Sequence, residues 1–218
     1  MGFSKLTSFQ RQVLEAIFAR EDGFFLTGGA ALAEFHLGHR TTDDLDLFTL
    51  EADAFERSRH VIASVAHDLG AQLDVRQDAP GFRRYALSRA GDTVVVDAVH
   101  ERTVQRVSEK PREGAIIIDP PEEILANKLT AVVGRMEERD LVDILFLERA
   151  GHRVEDALSS ALSKDGGCTP ATLAWLLSEV KVPDGVTLPG GVQPADLRAF
   201  VDDLVVRLRR AALPRPPP

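Results

Sequence analysis

The sequence predicts an α+β fold in two parts, and two observations carry that prediction. Every strand candidate, marked by apolar–polar alternation or by a short apolar run, falls before residue 119; from there on every apolar segment has a helical period. At the junction, "DPPEEILANKLTAVVGR" opens with a helix-start signal: Asp119 to cap, Pro120 at the first helical position and Glu122 completing the box. Residues 1–118 therefore read as a sheet domain and 119–212 as a helical domain, with 213–218, "LPRPPP", as a disordered proline-rich tail.

The elements follow in order. Residues 8–20 read as a helix, because Thr7 and Gln10 have capping-box spacing and Val13, Leu14, Ile17 and Phe18 share a face. "GFFLT" (23–27) reads as a short buried strand and "GAALAEFHL" (29–37) as a helix stopped by Gly38. "DLDLFTL" (44–50) alternates as a strand does. A helix from 53 to 69 turns Phe55, Ile62, Val65 and Leu69 inward and stops at Gly70. Three strands come next, "AQLDVRQ" (71–77), "FRRYALSR" (82–89) and "DTVVVDAV" (92–99), the last two joined by an "AGD" hairpin turn. One more short strand lies in "AIIID". Helices over 121–134, 137–150, 153–163, 170–181 and 194–212 complete the chain, and the Gly/Pro-rich 182–194 stretch reads as an exposed linker. Trp175, among Leu173, Leu176 and Leu177, reads as core.

Composition removes several classes of function. No run of about 18 apolar residues exists, so a membrane span is not expected. The opening residues have neither the long apolar core nor the cleavage site of a signal peptide. A single cysteine, Cys168, allows no intramolecular disulfide and no Cys-based zinc site, which suits a reducing cytoplasm. The net charge of −8 and pI near 5.3 argue against a strongly basic nucleic-acid surface.

The chemistry gathers around "RTTDDLDLF". Residues two apart on a strand share a face, so Asp44 and Asp46 project together while Leu45 and Leu47 pack on the other side. Paired carboxylates raise each other's pKa unless a cation neutralises them, and Mg²⁺ takes such oxygens readily. Alone, the pair reads equally as a solvated sheet edge. Asp97 alters the balance, because a charge inside the apolar "VVVDAV" strand is costly without a partner; beside 44–50 it is a third carboxylate. Thr27-Gly28-Gly29 adds a turn at which backbone amides approach a phosphate, and Arg40 and Thr42 add a cation and a hydroxyl.

In its order — strand, Gly-Gly, helix, Asp-x-Asp on a strand, a later Asp on another — the chain resembles the nucleotidyltransferase superfamily typified by DNA polymerase beta. Gly28-Gly29-Ala30-Ala31-Leu32, Arg40-Thr41-Thr42-Asp43-Asp44-Leu45-Asp46-Leu47-Phe48, and the later Lys128, Leu129, Ala131, Arg135, Arg139, Asp140 and Asp143 are similar to the motifs of the AbiEii/AbiGii-type toxin nucleotidyltransferases. The resemblance covers about residues 25–150. It implies a small mixed sheet with flanking helices. It also implies a metal-dependent transfer of NMP from an NTP to an acceptor hydroxyl. Asp44, Asp46 and Asp97 would hold Mg²⁺ or Mn²⁺. Thr27, Gly28, Gly29, Arg40, Thr42, Lys128 and Arg135 would contact the nucleotide, and Asp140 would orient a basic face formed by Lys128, Arg135 and Arg139.

Three functions follow. The first is a cytoplasmic toxin-like enzyme acting on RNA, such as a tRNA 3′ end, or on a protein hydroxyl, with an antitoxin encoded nearby. The second is a small-molecule, antibiotic-type nucleotidyltransferase. The third is a non-catalytic binding module on the same fold. For an RNA acceptor, Arg83, Arg84, Arg102, Arg106, Lys110 and Arg112 are expected to form a basic lip beside Asp97. His36, His39 and His100 read as incidental.

Overall fold

A computed structural model describes residues 4–213, and the chain divides into two compact units. One comprises Met1–Arg102 and Val107–Pro120; the other comprises Thr103–Arg106 and Pro121–Pro218. The proline-rich end, 214–218, lies outside the described residues.

The first unit is built on a five-stranded mixed sheet in the order β1-β2-β5-β4-β3, from β1 (Phe25–Thr27), β2 (Asp44–Thr49), β3 (Gln72–Ala79), β4 (Phe82–Arg89) and β5 (Asp92–His100). β2 and β5 run parallel and the other pairs antiparallel. The parallel pair needs a crossover, which helix α3 (Ala52–Asp68) and the β3–β4 hairpin supply. Ala90 and Gly91 turn β4 into β5 with φ of 52° and 92°, the left-handed pair that a tight hairpin requires. A short ribbon, β6 (Arg112–Glu113) and β7 (Ile116–Ile117), then returns the chain to β1, where Ile118 bridges Leu26 in parallel.

One face of the sheet is apolar. Leu45, Leu47, Tyr85, Leu87, Val94, Val96 and Ala98 are all buried. Helices α1 (Ser8–Phe18) and α3 cover it, and the Thr7–Gln10 capping box starts α1 as the spacing predicts. Arg83 also points to this face and is 2% exposed. It donates to the Phe55 carbonyl, to Ser58 Oγ at 3.1 Å, to Glu56 at 2.6 Å and to Asp78 at 3.1 Å, with its guanidinium 4.0 Å from the Phe55 ring centroid. It is a brace between sheet and helix, which removes it from any basic lip.

The segment expected as one helix over 29–37 is α2 (Gly28–Ala31) running into a π-turn, Leu32–His36, closed by Leu37 N donating to Leu32 O at 2.7 Å. The turn seats Glu34 so that it accepts from the backbone N–H groups of Lys5 and Leu6 at 2.6 and 3.0 Å and pairs with Arg11.

The second unit is helical: α4 (Pro121–Gly134), α5 (Glu138–Arg149), α6 (Val154–Lys164), α7 (Pro170–Ser178) and α8 (Pro194–Ala211). Three expectations change here. Lys128, Arg135 and Arg139 do not share one helical face, because α4 ends at Gly134 and Met136 takes φ of 44° before α5 begins. Trp175 is 63% exposed rather than core, since Leu173, Ala174 and Leu177 form the buried stripe of α7 and residue 175 lies about 200° from 173 around the helix. The 182–194 stretch is not a loose linker, because Val182, Leu188 and Val192 are each buried.

The Arg83 brace generates a prediction. Arg83→Ala strands a buried carbonyl and leaves a cavity, and should lower unfolding free energy by about 2–4 kcal/mol in urea titration. Arg83→Lys should recover only part of it, because an ammonium lacks the fork that reaches four partners. A loss below about 0.5 kcal/mol for Arg83→Ala would show an exposed surface arginine instead.

Candidate functional site

In the first unit the register assembles a transverse row. Thr27 pairs with Asp46, Asp46 with Asp97, Asp97 with Arg84 and Arg84 with Gln77, crossing all five strands. Directly paired residues project to the same face, so Asp46 and Asp97 are neighbours and Asp44 joins them from two residues along β2. Leu45 and Leu47, 0% and 1% exposed, fix the opposite face and with it the direction of both aspartates.

The glycine turn packs against this row. Gly28 has φ of +64°, and a Cβ there would collide with Asp46 Oδ2 and lie 3.0 Å from its Cγ. At Gly29 a Cβ would stand 2.5 Å from Arg40 Nη2 and 3.4 Å from Thr42 Oγ1. Gly28 is required by its left-handed backbone, with Asp46 crowding it as well, whereas at Gly29 the crowding atom is the tip of the flexible Arg40 side chain. Thr42 Oγ1 donates to Asp44 Oδ1 at 2.9 Å, and Gln10 Nε2 holds the Thr42 carbonyl at 2.7 Å, so the α1 cap reaches into the site. Arg40 Nη1 donates to the Thr41 carbonyl at 2.9 Å.

Behind the turn, Thr27 Oγ1 donates to Asp119 Oδ2 at 2.7 Å, and His36 Nε2 lies 2.8 Å from the Asp119 carbonyl. Lys110 pairs with the fully buried Asp119 and sits 4.1 Å from the Phe25 ring centroid. The Asp119 carboxylate thus braces the glycine turn, and α4 runs over Pro121–Gly134, the bounds expected for it. His36 is part of this brace rather than incidental.

Asp97 is 4% exposed, and both its oxygens accept from Arg84: Nε to Oδ1 at 2.7 Å and Nη2 to Oδ2 at 2.6 Å. Four of the six residues expected in a basic lip are engaged within the protein, while Arg102 and Arg112 are exposed. Arg83 is buried, Arg84 is on Asp97, Lys110 is on Asp119, and Arg106 belongs to the helical unit, where it reaches the Asp156 carbonyl at 2.8 Å. Arg84 was legible in advance, because a hairpin turning at 90–91 sets residue 84 opposite 97. No sequence signal joins Thr27 to Asp119, 92 residues away.

As a donor set, Asp44, Asp46 and Asp97 suit Mg²⁺ or Mn²⁺: hard carboxylate oxygens on one face, beside a glycine cradle that a Cβ would fill. Among the described residues, no three such side chains converge closely enough to hold an ion as they stand. Arg84 stands beside them, bonded to Asp97.

The second unit gathers Lys128, Arg135 and Asp140, with Asp143. Lys128 Nζ lies 2.8 Å from Asp140 Oδ1 and 2.8 Å from Asp143 Oδ2, and both carboxylates are 0% exposed. Burial alone pulls the Lys128 pKa down, but the charges of Asp143 and Asp140 and their hydrogen bonds outweigh it, so the ammonium is held above its ordinary range. Burial pushes Asp140 up, and Lys128 together with Arg135, whose Nε is 3.2 Å away, brings it below its ordinary range. Lys128 and Asp140 are both charged at neutral pH.

The family model for "Nucleotidyl transferase AbiEii toxin, Type IV TA system" matches residues 12–212. Among solved structures, JHP933 from Helicobacter pylori is similar at 20% identity over 93% of this chain and 91% of that one, with a TM-score of 0.56. A putative nucleotidyltransferase from H. pylori is similar at 20% identity over 92% and 93%, with a TM-score of 0.55. No curated protein matches the chain.

Two outcomes are expected. Gly28→Ala should cost at least about 1–2 kcal/mol in chemical denaturation, from its left-handed backbone alone. Displacement of Asp46 adds to that, so Gly29→Ala at an ordinary φ should cost less. Lys128→Met removes the buried cation that Asp140 and Asp143 share, leaving Arg135 on Asp140, and should cost about 3–5 kcal/mol at neutral pH. In the parent, the depressed Asp140 contributes stability above its unfolded pKa and loses it as pH falls through the folded value. The raised Lys128 loses its contribution only on the alkaline side. The variant's carboxylates instead relax by protonation, so urea midpoints of the two proteins should converge as pH is lowered from 7 to 5.

Proposed function

The chain belongs to the AbiEii family of nucleotidyltransferase toxins of type IV toxin–antitoxin systems, and from that premise we propose that it moves a nucleoside monophosphate from an NTP to an acceptor hydroxyl in a reaction that depends on a divalent cation. The observation that supports this is the Asp46–Asp97 pair in register across β2 and β5, with Asp44 on the same face and the Gly28-Gly29 turn against Asp46.

The residues divide the work. Asp44 and Asp46, with Asp97, would hold Mg²⁺ or Mn²⁺, which when bound neutralises triphosphate charge and polarises the phosphoryl oxygens. Gly28 and Gly29 let backbone amides approach the phosphates without a Cβ in the way, and Thr27, tied to Asp119, fixes that turn. Arg40 and Thr42 flank the same turn. The acceptor oxygen would attack the α-phosphorus as the bond to pyrophosphate breaks, the hydroxyl's proton passing to Asp97 or, were Asp97 to help hold the cation, to solvent. In the helical unit, Lys128 is a fixed cation kept protonated by Asp140 and Asp143, and we assign it and Arg135 to nucleotide binding. Positioning and charge neutralisation supply most of the catalysis in such transfers.

We place the acceptor in RNA, as at a tRNA 3′ end, or on a protein, with a cognate antitoxin as partner and the cytoplasm, where NTPs are abundant, as location. No helix of the described residues is long and apolar enough to cross a membrane. One observation favours a second reading, a small-molecule acceptor: the arginines and lysines expected to line a polynucleotide path between 83 and 112 are largely engaged within the protein. Membership of a nucleotidyltransferase family sets aside the non-catalytic module.

Incubation with each labelled NTP and total RNA, protein extract or small hydroxyl compounds distinguishes these acceptors. Label should transfer with Mg²⁺ or Mn²⁺ and not with EDTA. Asp44→Asn, Asp46→Asn and Asp97→Asn should each reduce transfer by about 10²-fold or more, with Asp97→Asn retaining partial NTP binding by calorimetry. Equal NTP affinity with and without EDTA would remove the cation from the mechanism.

A further inference from the structure

The transverse row carries two carboxylates and one guanidinium, with Asp44 beside it, and the guanidinium is its exposed charge. The Asp97 side chain is 6% exposed and that of Arg84 43% exposed. Arg84 engages both oxygens of Asp97 in a bidentate fork, the geometry that suits a guanidinium best. Its hydrogen bonds to Asp97, against partial burial, hold the guanidinium even more firmly protonated, and the charges of Asp44 and Asp46 add to that. The whole acidic cluster therefore acts on Arg84, not Asp97 alone. In the same pose the Arg84 Cζ is 5.6 Å from the centroid of the Phe82 ring, two residues earlier on the same strand.

A divalent cation and this fork compete for the same oxygens. A cation in near-octahedral geometry needs a carboxylate lone pair directed at it, and a proton acceptor needs one directed at the substrate hydroxyl. The fork uses both oxygens of Asp97 for Arg84. A guanidinium and a divalent ion at one cluster also repel each other.

We infer that Arg84 is a built-in counter-ion that occupies the carboxylate cluster before the divalent cation does, and that it withdraws from Asp97 when the cluster loads. Arg84 is thus a positioning residue. It keeps three like charges together on one sheet face without metal, and it lowers the cluster's affinity for the ion that replaces it. The inference rests on the cation-binding reading of Asp44, Asp46 and Asp97 given above.

Mn²⁺ titration without nucleotide, following free Mn²⁺ by electron paramagnetic resonance, tests it on the parent, Arg84→Gln, Arg84→Lys and Asp97→Asn. Arg84→Gln keeps a planar polar group without the charge and should bind Mn²⁺ about tenfold more tightly than the parent, the order expected for losing one competing, partly exposed charge. Arg84→Lys keeps the charge, loses the fork, and should fall between them. Without metal Arg84→Gln should melt at a lower temperature than the parent, and Mn²⁺ should raise its melting temperature more. Equal or weaker Mn²⁺ affinity in Arg84→Gln overturns the counter-ion role while leaving the cation site standing. No Mn²⁺ bound by any of the four proteins, with no melting shift, overturns the cation reading and this inference with it. If Arg84→Gln does not fold, Arg84→Lys decides: affinity at or below the parent's overturns the role.

Discussion

Like charges on one face of a sheet repel, and the structure of the first unit depends on that constraint. Asp46 and Asp97 stand opposite each other across a parallel ladder, with Asp44 on the same side. At a β-ladder's spacing, two bare carboxylates are mutually unfavourable. The sheet tolerates them because its other face is a continuous apolar layer under α1 and α3, which anchors Leu45 and Leu47 and leaves the aspartates one direction to point. It tolerates them also because the next strand delivers Arg84 to the same row. The two arginines of "FRRY" therefore have opposite fates. Arg83 is buried against α3, where it ties sheet to helix, and Arg84 faces the carboxylates. A one-residue slip of β4 would exchange them and lose both functions.

That constraint explains which parts of the fold the sequence made legible. Period-two alternation located β2, β4 and β5 within a residue or two, and the "AGD" turn fixed the β4–β5 register, because hairpin pairing is local arithmetic. Helices with clear caps were equally legible, α1 through its capping box above all. The parallel pairing of β2 with β5 was accessible only as a condition on Asp97, since a crossover of some forty residues carries no register signal. Trp175 misled because hydrophobicity was weighed over its own short segment, whereas the buried stripe of α7 is set by Leu173, Ala174 and Leu177. Arg83 misled in the opposite sense: a charge on an alternating strand reads as solvent-facing until a helix supplies acceptors for it.

The glycine turn is legible for a different reason. Two adjacent glycines between an apolar run and a helix signal a close approach, but not what approaches. The structure gives the answer twice: the Asp46 carboxylate over Gly28, the Arg40 guanidinium over Gly29. The brace beneath, Thr27 to Asp119 to Lys110, joins residues far apart in the chain because Ile118 bridges Leu26 beside β1. Such a contact is written in topology rather than in any local pattern. The π-turn after α2 belongs to the same assembly, since it carries His36 to the Asp119 carbonyl and Glu34 to the N-terminal backbone.

Charge accounting across the protein bears on the acceptor. The net charge is −8, yet many buried carboxylates have a dedicated cation: Asp97 has Arg84, Asp119 has Lys110, Glu21 has Arg57, Glu123 has Lys164, and Asp140 and Asp143 share Lys128. These pairings consume basic side chains that a long polynucleotide track would otherwise use. Affinity for nucleic acid scales with the phosphates neutralised at the surface, and an ion pair already closed within the protein releases no counterions when a strand arrives. On the proposed reading, an RNA acceptor would be held chiefly at its reacting end rather than along its backbone. That same economy accommodates a small hydroxyl compound. The chemistry of the carboxylate row is common to all these acceptors, and what separates them is the surface around the hydroxyl.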